Sequence, residues 1–105
     1  MIDHFLPGQR WVSHADSTLG LGIVTHADER RVTLYFPAVE EERVYATDRA
    51  PLTRLLLKPG DQLTRMDGSV LTVIALQEQG GVITYEAEAP SGDHHSVAEA
   101  ELDAH

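Results

Sequence analysis

The sequence predicts an all-β chain built as two small barrels in tandem. Three observations carry that prediction: an internal repeat, apolar alternation of strand length between turn signals, and little sign of helical periodicity. Pro7-Gly8-Gln9-Arg10-Trp11-Val12 opens a stretch that passes through Leu21-Gly22-Ile23-Val24 to Val32-Thr33-Leu34-Tyr35. Pro59-Gly60-Asp61-Gln62-Leu63-Thr64 opens another, through Leu71-Thr72-Val73-Ile74 to Val82-Ile83-Thr84-Tyr85. The offset is 52 at the turn (59 − 7), 50 in the middle (71 − 21) and 50 at the tyrosines (85 − 35). The boundary falls at Lys58-Pro59-Gly60-Asp61, which gives modules of residues 1–57 and 58–105. Paired barrels of this size usually bind rather than catalyse. A unit of about 50 residues buries only about 60% of the surface its unfolded chain exposes, so the two halves are expected to pack together.

Taken in order, Gln9 to Ser13 and Leu19 to Ala27 read as strands, and Asp28-Glu29-Arg30 supplies a polar turn before Arg31 to Phe36. Pro37 stops that strand; Glu42 to Ala46 is the fourth, and Ala50-Pro51 breaks the chain before a short fifth, Leu52 to Leu57. Gln62 to Arg65, Val70 to Gln77, Val82 to Ala87 and Ser96 to Ala98 repeat the order. Gly80-Gly81 and Asp67-Gly68 are hairpin signals, because primed turns need positive φ. Pro90-Ser91-Gly92-Asp93 reads as a loop. Five short strands per unit, with Gly20 and Gly22 where the long second strand must bend, describe an SH3-like or Tudor-like barrel. A single mixed β-sandwich made from both repeats is the alternative architecture.

Charge is unevenly divided. Residues 1–56 hold eight acidic side chains against six arginines, while residues 57–105 hold nine against Lys58 and Arg65; the nets of −2 and −7 make up the total of −9. An acidic module gains nothing from releasing counterions off phosphates, so nucleic acid is a poor partner and a basic protein surface a better one. With no cysteine there are neither disulfides nor thiolate metal sites. No apolar run approaches the roughly 20 residues of a membrane helix. Met1 to Leu6 is too short and acidic for a signal peptide, and the expected location is cytoplasmic.

Gly8-Gln9-Arg10-Trp11-Val12-Ser13, followed by Leu19-Gly20-Leu21-Gly22, resembles the start of the RapA (HepA) family of RNA polymerase-associated, Swi/Snf-type bacterial ATPases. Val32-Thr33-Leu34, Phe36-Pro37, Tyr45-Ala46, Pro51-Leu52-Thr53-Arg54, Pro59-Gly60-Asp61 and Thr84-Tyr85 match in the same order; beyond Tyr85 the resemblance fades. It implies two Tudor-like, KOW-like modules of bent antiparallel sheet, forming an N-terminal region that associates with core RNA polymerase and restrains the ATPase motor domains. The chain has no Gly-x-x-x-x-Gly-Lys-Ser/Thr loop and no lysine but Lys58, so ATP and Mg are expected only in a motor outside it. The expected function is non-catalytic: interaction and regulation in support of polymerase recycling. A KOW-like nucleic-acid-binding module is the alternative.

Candidate side chains each carry a plain reading beside the functional one. His94-His95 with Asp93 is the densest metal-ligand group, but neighbours on a strand face opposite ways, so solvent or structural roles are expected. His14, Asp16 and Ser17 have the residue types of a hydrolytic triad without an oxyanion hole. Phe5, Trp11, Tyr35, Phe36, Tyr45 and Tyr85 could form a cation–π cage, but two small cores need them for packing, Trp11 above all. Glu40, Glu41 and Glu42 form a solvated hairpin tip or a docking patch for a basic partner. Arg43, Arg49 and Arg54 form a polar binding surface or pair with Glu41, Glu42 or Asp48. Glu86, Glu88, Glu99 and Glu101 are the carboxylates with which the second module would compete for a basic surface of the motor.

Overall fold

A computed structural model describes residues 5–103. They divide into two compact units, 5–55 and 56–103. In the first, β1 (Arg10–Ser13), β2 (Leu21–Ala27), β3 (Arg31–Phe36), β4 (Glu41–Ala46) and β5 (Leu52–Arg54) form one antiparallel sheet in the order β4-β3-β2-β1-β5. In the second, β6 (Gln62–Thr64), β7 (Val70–Gln79), β8 (Val82–Glu88) and β9 (His94–Ala98) are ordered β6-β7-β8-β9. Each sheet takes its strands from one half of the chain, which sets aside the mixed sandwich. The fifth strand of the second unit shrinks to one bridge, Arg65 to Leu102, with the Asp103 N–H donating to Thr64 O at 2.8 Å.

The repeat extends to individual hydrogen bonds. At both openings proline sits second and glycine third in a turn closed by its fourth residue: Gln9 N to Leu6 O, 3.1 Å, and Asp61 N to Lys58 O, 2.9 Å. Gly8 and Gly60 take φ of 95° and 97°, the left-handed values of a type II turn. The fourth side chain then reaches back: Leu6 N donates to Gln9 Oε1 and Lys58 N to Asp61 Oδ2. Bulges follow at matching places, between Val24 and His26 in β2 and between Val73 and Ala75 in β7.

Past the bulges the copies diverge. Val24 pairs with Leu34 across ten positions (34 − 24), whereas Val73 pairs with Ala87 across fourteen (87 − 73). The β7–β8 hairpin is therefore two residues longer on each strand, and Leu34 corresponds to Ala87, not to Thr84. Aligning the two tyrosines in the sequence slips the register by three positions. An odd slip exchanges the faces of a strand, so Tyr35 lies on the outer face while Tyr85 is fully buried.

Alternation explains both cores. Val32, Leu34 and Phe36 point inward from β3 and meet Trp11, Leu19, Val24 and Leu52, with the Phe5 ring tilted against Trp11 at 4.5 Å between ring centres. The Trp11 indole N–H donates to Gln9 Oε1, so the opening turn and the core share one side chain. Gly22 is required by packing: a Cβ there would stand 2.6 Å from Phe36 Cε1 and 3.1 Å from Leu34 Cδ2. The second core holds Leu63, Leu71, Val73, Ile83, Tyr85, Ala87, Val97 and Leu102.

Some element ends differ from expectation. The strand expected from Leu19 starts at Leu21, because Ser17–Leu19 is a 3-10 turn whose Thr18 N–H is capped by Asp16. β5 stops at Arg54, short of Leu57, and β7 runs on to Gln79. β9 begins at His94, since Ala89 to Asp93 close a tight turn.

Candidate interaction surface

The side chains able to meet a partner lie on the outer faces and rims of the two sheets. Register makes those faces comparable row by row. Ile23, Tyr35 and Glu42 lie side by side across β2, β3 and β4; the corresponding row of the second module is Thr72, Glu88 and His94. The next rows are His26, Thr33 and Val44 against Ala75, Glu86 and Ser96.

The two faces differ in chemistry. On the second module, His94 Nε2 stands 3.5 Å from Glu88 Oε2 and the Ser96 hydroxyl donates to Glu86 at 2.8 Å. On the first, Tyr35 is 36% and Val44 59% exposed, Ile23 is half-buried, and Glu42 makes no ion pair among the described residues.

The remaining acidic candidates take distinct places. Glu40 ends the β3–β4 hairpin at φ 53°, exposed at the tip, and Glu41 pairs with Arg43 at 3.0 Å. Glu101 is exposed on the 3-10 turn Glu99–Glu101. Glu99 on the same turn is fully buried: its Oε2 accepts the Ile83 N–H at 2.6 Å, one residue beyond the last β8–β9 pair, Thr84 with Ala98. A carboxylate in that position holds the sheet end and offers no charge to a partner.

The arginines divide similarly. Arg43 pairs with Glu41, which holds its guanidinium pKa above the ordinary value, and Arg49 lies 4.0 Å from Asp48. Both pairs are exposed and worth little on their own. Arg54 sits half-buried on β5, opposite Trp11. The three do not form one surface of free guanidinium groups. Arg10, absent from the candidates, is buried with its Nε–H donating to Gly22 O at 3.0 Å; its place beside Trp11 on a four-residue strand gives no sequence signal of that bond.

Other suggested chemistry meets local structure. Asp16 Oδ1 accepts from both the N–H and hydroxyl of Thr18, which lowers its carboxyl pKa and commits it to the turn rather than to His14. Asp67 does the same with Ser69. His94 pairs across to Glu88 and its neighbour His95 to Ala87, placing them on opposite faces. Trp11 and Phe36 are buried and Phe5 and Tyr45 pack against the first core; Tyr85 is buried in the second, leaving Tyr35 as the outward ring of the set.

Two family models match the chain in succession: the RapA N-terminal Tudor-like domain 1 over residues 5–55 and the RapA N-terminal Tudor-like domain over residues 58–105. An RNA polymerase-associated protein RapA of Actinobacillus pleuropneumoniae serotype 5b is 46% identical over 100 residues, covering 94% of this chain and 10% of the relative. The protein of the same description from Stutzerimonas stutzeri is 37% identical over 102 residues, 97% of this chain and 11% of that one. That from Yersinia enterocolitica is 48% identical over 81 residues, covering 77% and 8%. The chain thus spans about a tenth of the length of the first of these relatives.

Proposed function

Because the chain belongs to the RapA family, as its N-terminal Tudor-like region, we propose that it binds core RNA polymerase and restrains an ATPase motor carried on the same polypeptide, in support of polymerase recycling. The observation that carries this reading is the pair of family matches over both modules, joined to relatives described as RNA polymerase-associated. Charge supports a protein partner. The second module has a net of −7 over residues 57–105, which repels phosphate and attracts basic protein surface.

Restraint follows from the same charge. An acidic module tethered near a basic cleft has an effective concentration of about millimolar, so weak attraction suffices to occupy the cleft until polymerase draws the module away. The carboxylates available for this are Glu86, Glu88 and Glu101; buried Glu99 is not among them. Neutralising those three in a full-length protein should raise basal ATPase activity and reduce its sensitivity to salt. Unchanged activity, with release on deletion of the whole region, would make the restraint steric.

Polymerase binding is tested by titrating the chain against immobilised core polymerase beside single-stranded RNA and duplex DNA at rising salt. The expected result is saturable binding to polymerase and none to nucleic acid. Binding to RNA or DNA that collapses steeply with salt, without binding to polymerase, would favour the KOW-like nucleic-acid reading.

A further inference from the structure

We infer that the outer sheet face of the first module is a docking surface for an extended protein segment bearing an arginine, which stacks on Tyr35 and pairs with Glu42. The inference names the surface behind the function proposed above and rests on that reading only for the source of the segment.

Tyr35 stands one residue from the end of β3, flanked directly by Ile23 on β2 and Glu42 on β4. Directly opposed residues have their Cβ atoms about 4.5–5.5 Å apart, so one ligand group can meet the ring and the carboxylate together. The geometry suits a guanidinium: its plane stacks on an aromatic face and its N–H fork takes a carboxylate. Among the described residues the Tyr35 ring has no aromatic or cationic partner, and Glu42 has no cation. Exposed Glu40 at the adjoining hairpin tip adds to the negative potential at that end.

Two further observations favour an extended segment. β4 is an edge strand, so its outer side can pair with added backbone. Val44 lies on the outer face two residues beyond Glu42, where the next but one side chain of a paired strand would fall. An arginine followed two residues later by an apolar side chain puts both on that face in the same order.

The row also has an internal control. The second module places Thr72, Glu88 and His94 at the same three positions, with a carboxylate, Glu88, in place of the tyrosine ring and His94 beside it. Charge alone would favour that more acidic module; the ring and the unpaired carboxylate favour the first.

The test is an NMR titration of the 105-residue chain with the peptide acetyl-Ser-Arg-Ser-Val-Ser-amide, its glutamate counterpart acetyl-Ser-Glu-Ser-Val-Ser-amide, and an oligouridylate. The arginine peptide should shift Tyr35, Glu42 and Val44, and the other two should not. Tyr35→Ala should weaken binding about tenfold, Tyr35→Phe should stay within about twofold, and Glu42→Gln should weaken it about threefold while lowering salt sensitivity. Amide spectra of each variant establish that the sheet persists. Equal binding of the glutamate peptide, oligouridylate shifts on the same face, shifts confined to Glu86 and Glu88, or no shift at millimolar peptide would each overturn the assignment. Polymerase that binds parent and Tyr35→Ala alike removes this surface and leaves the polymerase reading standing. Peptide binding at Tyr35 without polymerase binding does the reverse.

Discussion

In the first module the row Ile23, Tyr35, Glu42 leaves a ring open to solvent and a carboxylate without a cation, whereas in the second the corresponding row sets Glu88 beside His94 at 3.5 Å. The sheets share their opening turn and bulge, and the two rows stand at corresponding positions beyond them. A duplicated scaffold needs apolar inward residues in both copies to bury a core, while its outward residues are free to diverge. Here one copy keeps unsatisfied binding chemistry on a face where the other satisfies its polar groups internally. The second copy instead carries most of the net charge.

The largest expected effect strikes the inner packing. Trp11→Ala removes a large buried side chain from the first core and should destabilise that module by roughly 3–5 kcal/mol, a large share of the stability of so small a unit. Chemical denaturation followed by amide exchange over residues 5–55 measures it. An unchanged transition would mean that Trp11 is not a core residue.

Next comes Gly22→Ala. The added methyl meets the buried Phe36 ring at 2.6 Å, an overpacking that should cost about 1–3 kcal/mol by the same denaturation measurement. Tolerance would show that the β2 bend gives way and that the close approach is incidental.

The two glutamates of the second module's 3-10 turn sharpen the contrast between inner and outer positions. Glu99→Ala strands the Ile83 N–H at the end of β8 and should cost about 1–3 kcal/mol, whereas Glu101→Ala should stay within about 0.5 kcal/mol. Thermal melts of both variants check the pair. Equal effects would contradict the placement of Glu99 inside the module.

The smallest effect concerns acid. Hydrogen bonds from Thr18 to Asp16 and from Ser69 to Asp67 lower both carboxyl pKa values in the folded state, as the N–H groups of Arg30 and Arg31 do for Asp28. A depressed folded pKa contributes stability that is complete above the unfolded value, about 3.9 for aspartate, and is lost as pH falls through the folded value. Asp16→Asn and Asp67→Asn should each flatten the acid limb of the stability curve below about pH 4 and leave its shape at pH 7 unchanged. A loss of pH dependence confined to neutral pH would contradict the assignment.

How much of this was legible in the sequence depended on whether a residue acts through local chemistry or through register. The Pro-Gly turns, the strand at Arg31–Phe36 and the packing role of Trp11 follow from turn chemistry and alternation, and the structure agrees. The orientation of Tyr35 does not follow, because aligning it with Tyr85 assumes hairpins of equal length while β7–β8 is two residues longer per strand. Glu99 escaped for a related reason. Its neighbours Glu101 and Asp103 make the segment read as solvated, and only the point where β8–β9 pairing ends identifies it as an acceptor. The surface row could be assembled only once register had placed residues 23, 35 and 42 side by side.

The most direct test sets the two faces against each other on one partner. Parent chain, Tyr35→Ala and Glu88→Ala would be titrated onto immobilised core RNA polymerase at one physiological salt concentration. The parent should bind, Tyr35→Ala should lose about tenfold in affinity, and Glu88→Ala should remain within about twofold of the parent. A parent chain that fails to bind, or a loss that follows Glu88 and spares Tyr35, would contradict the account.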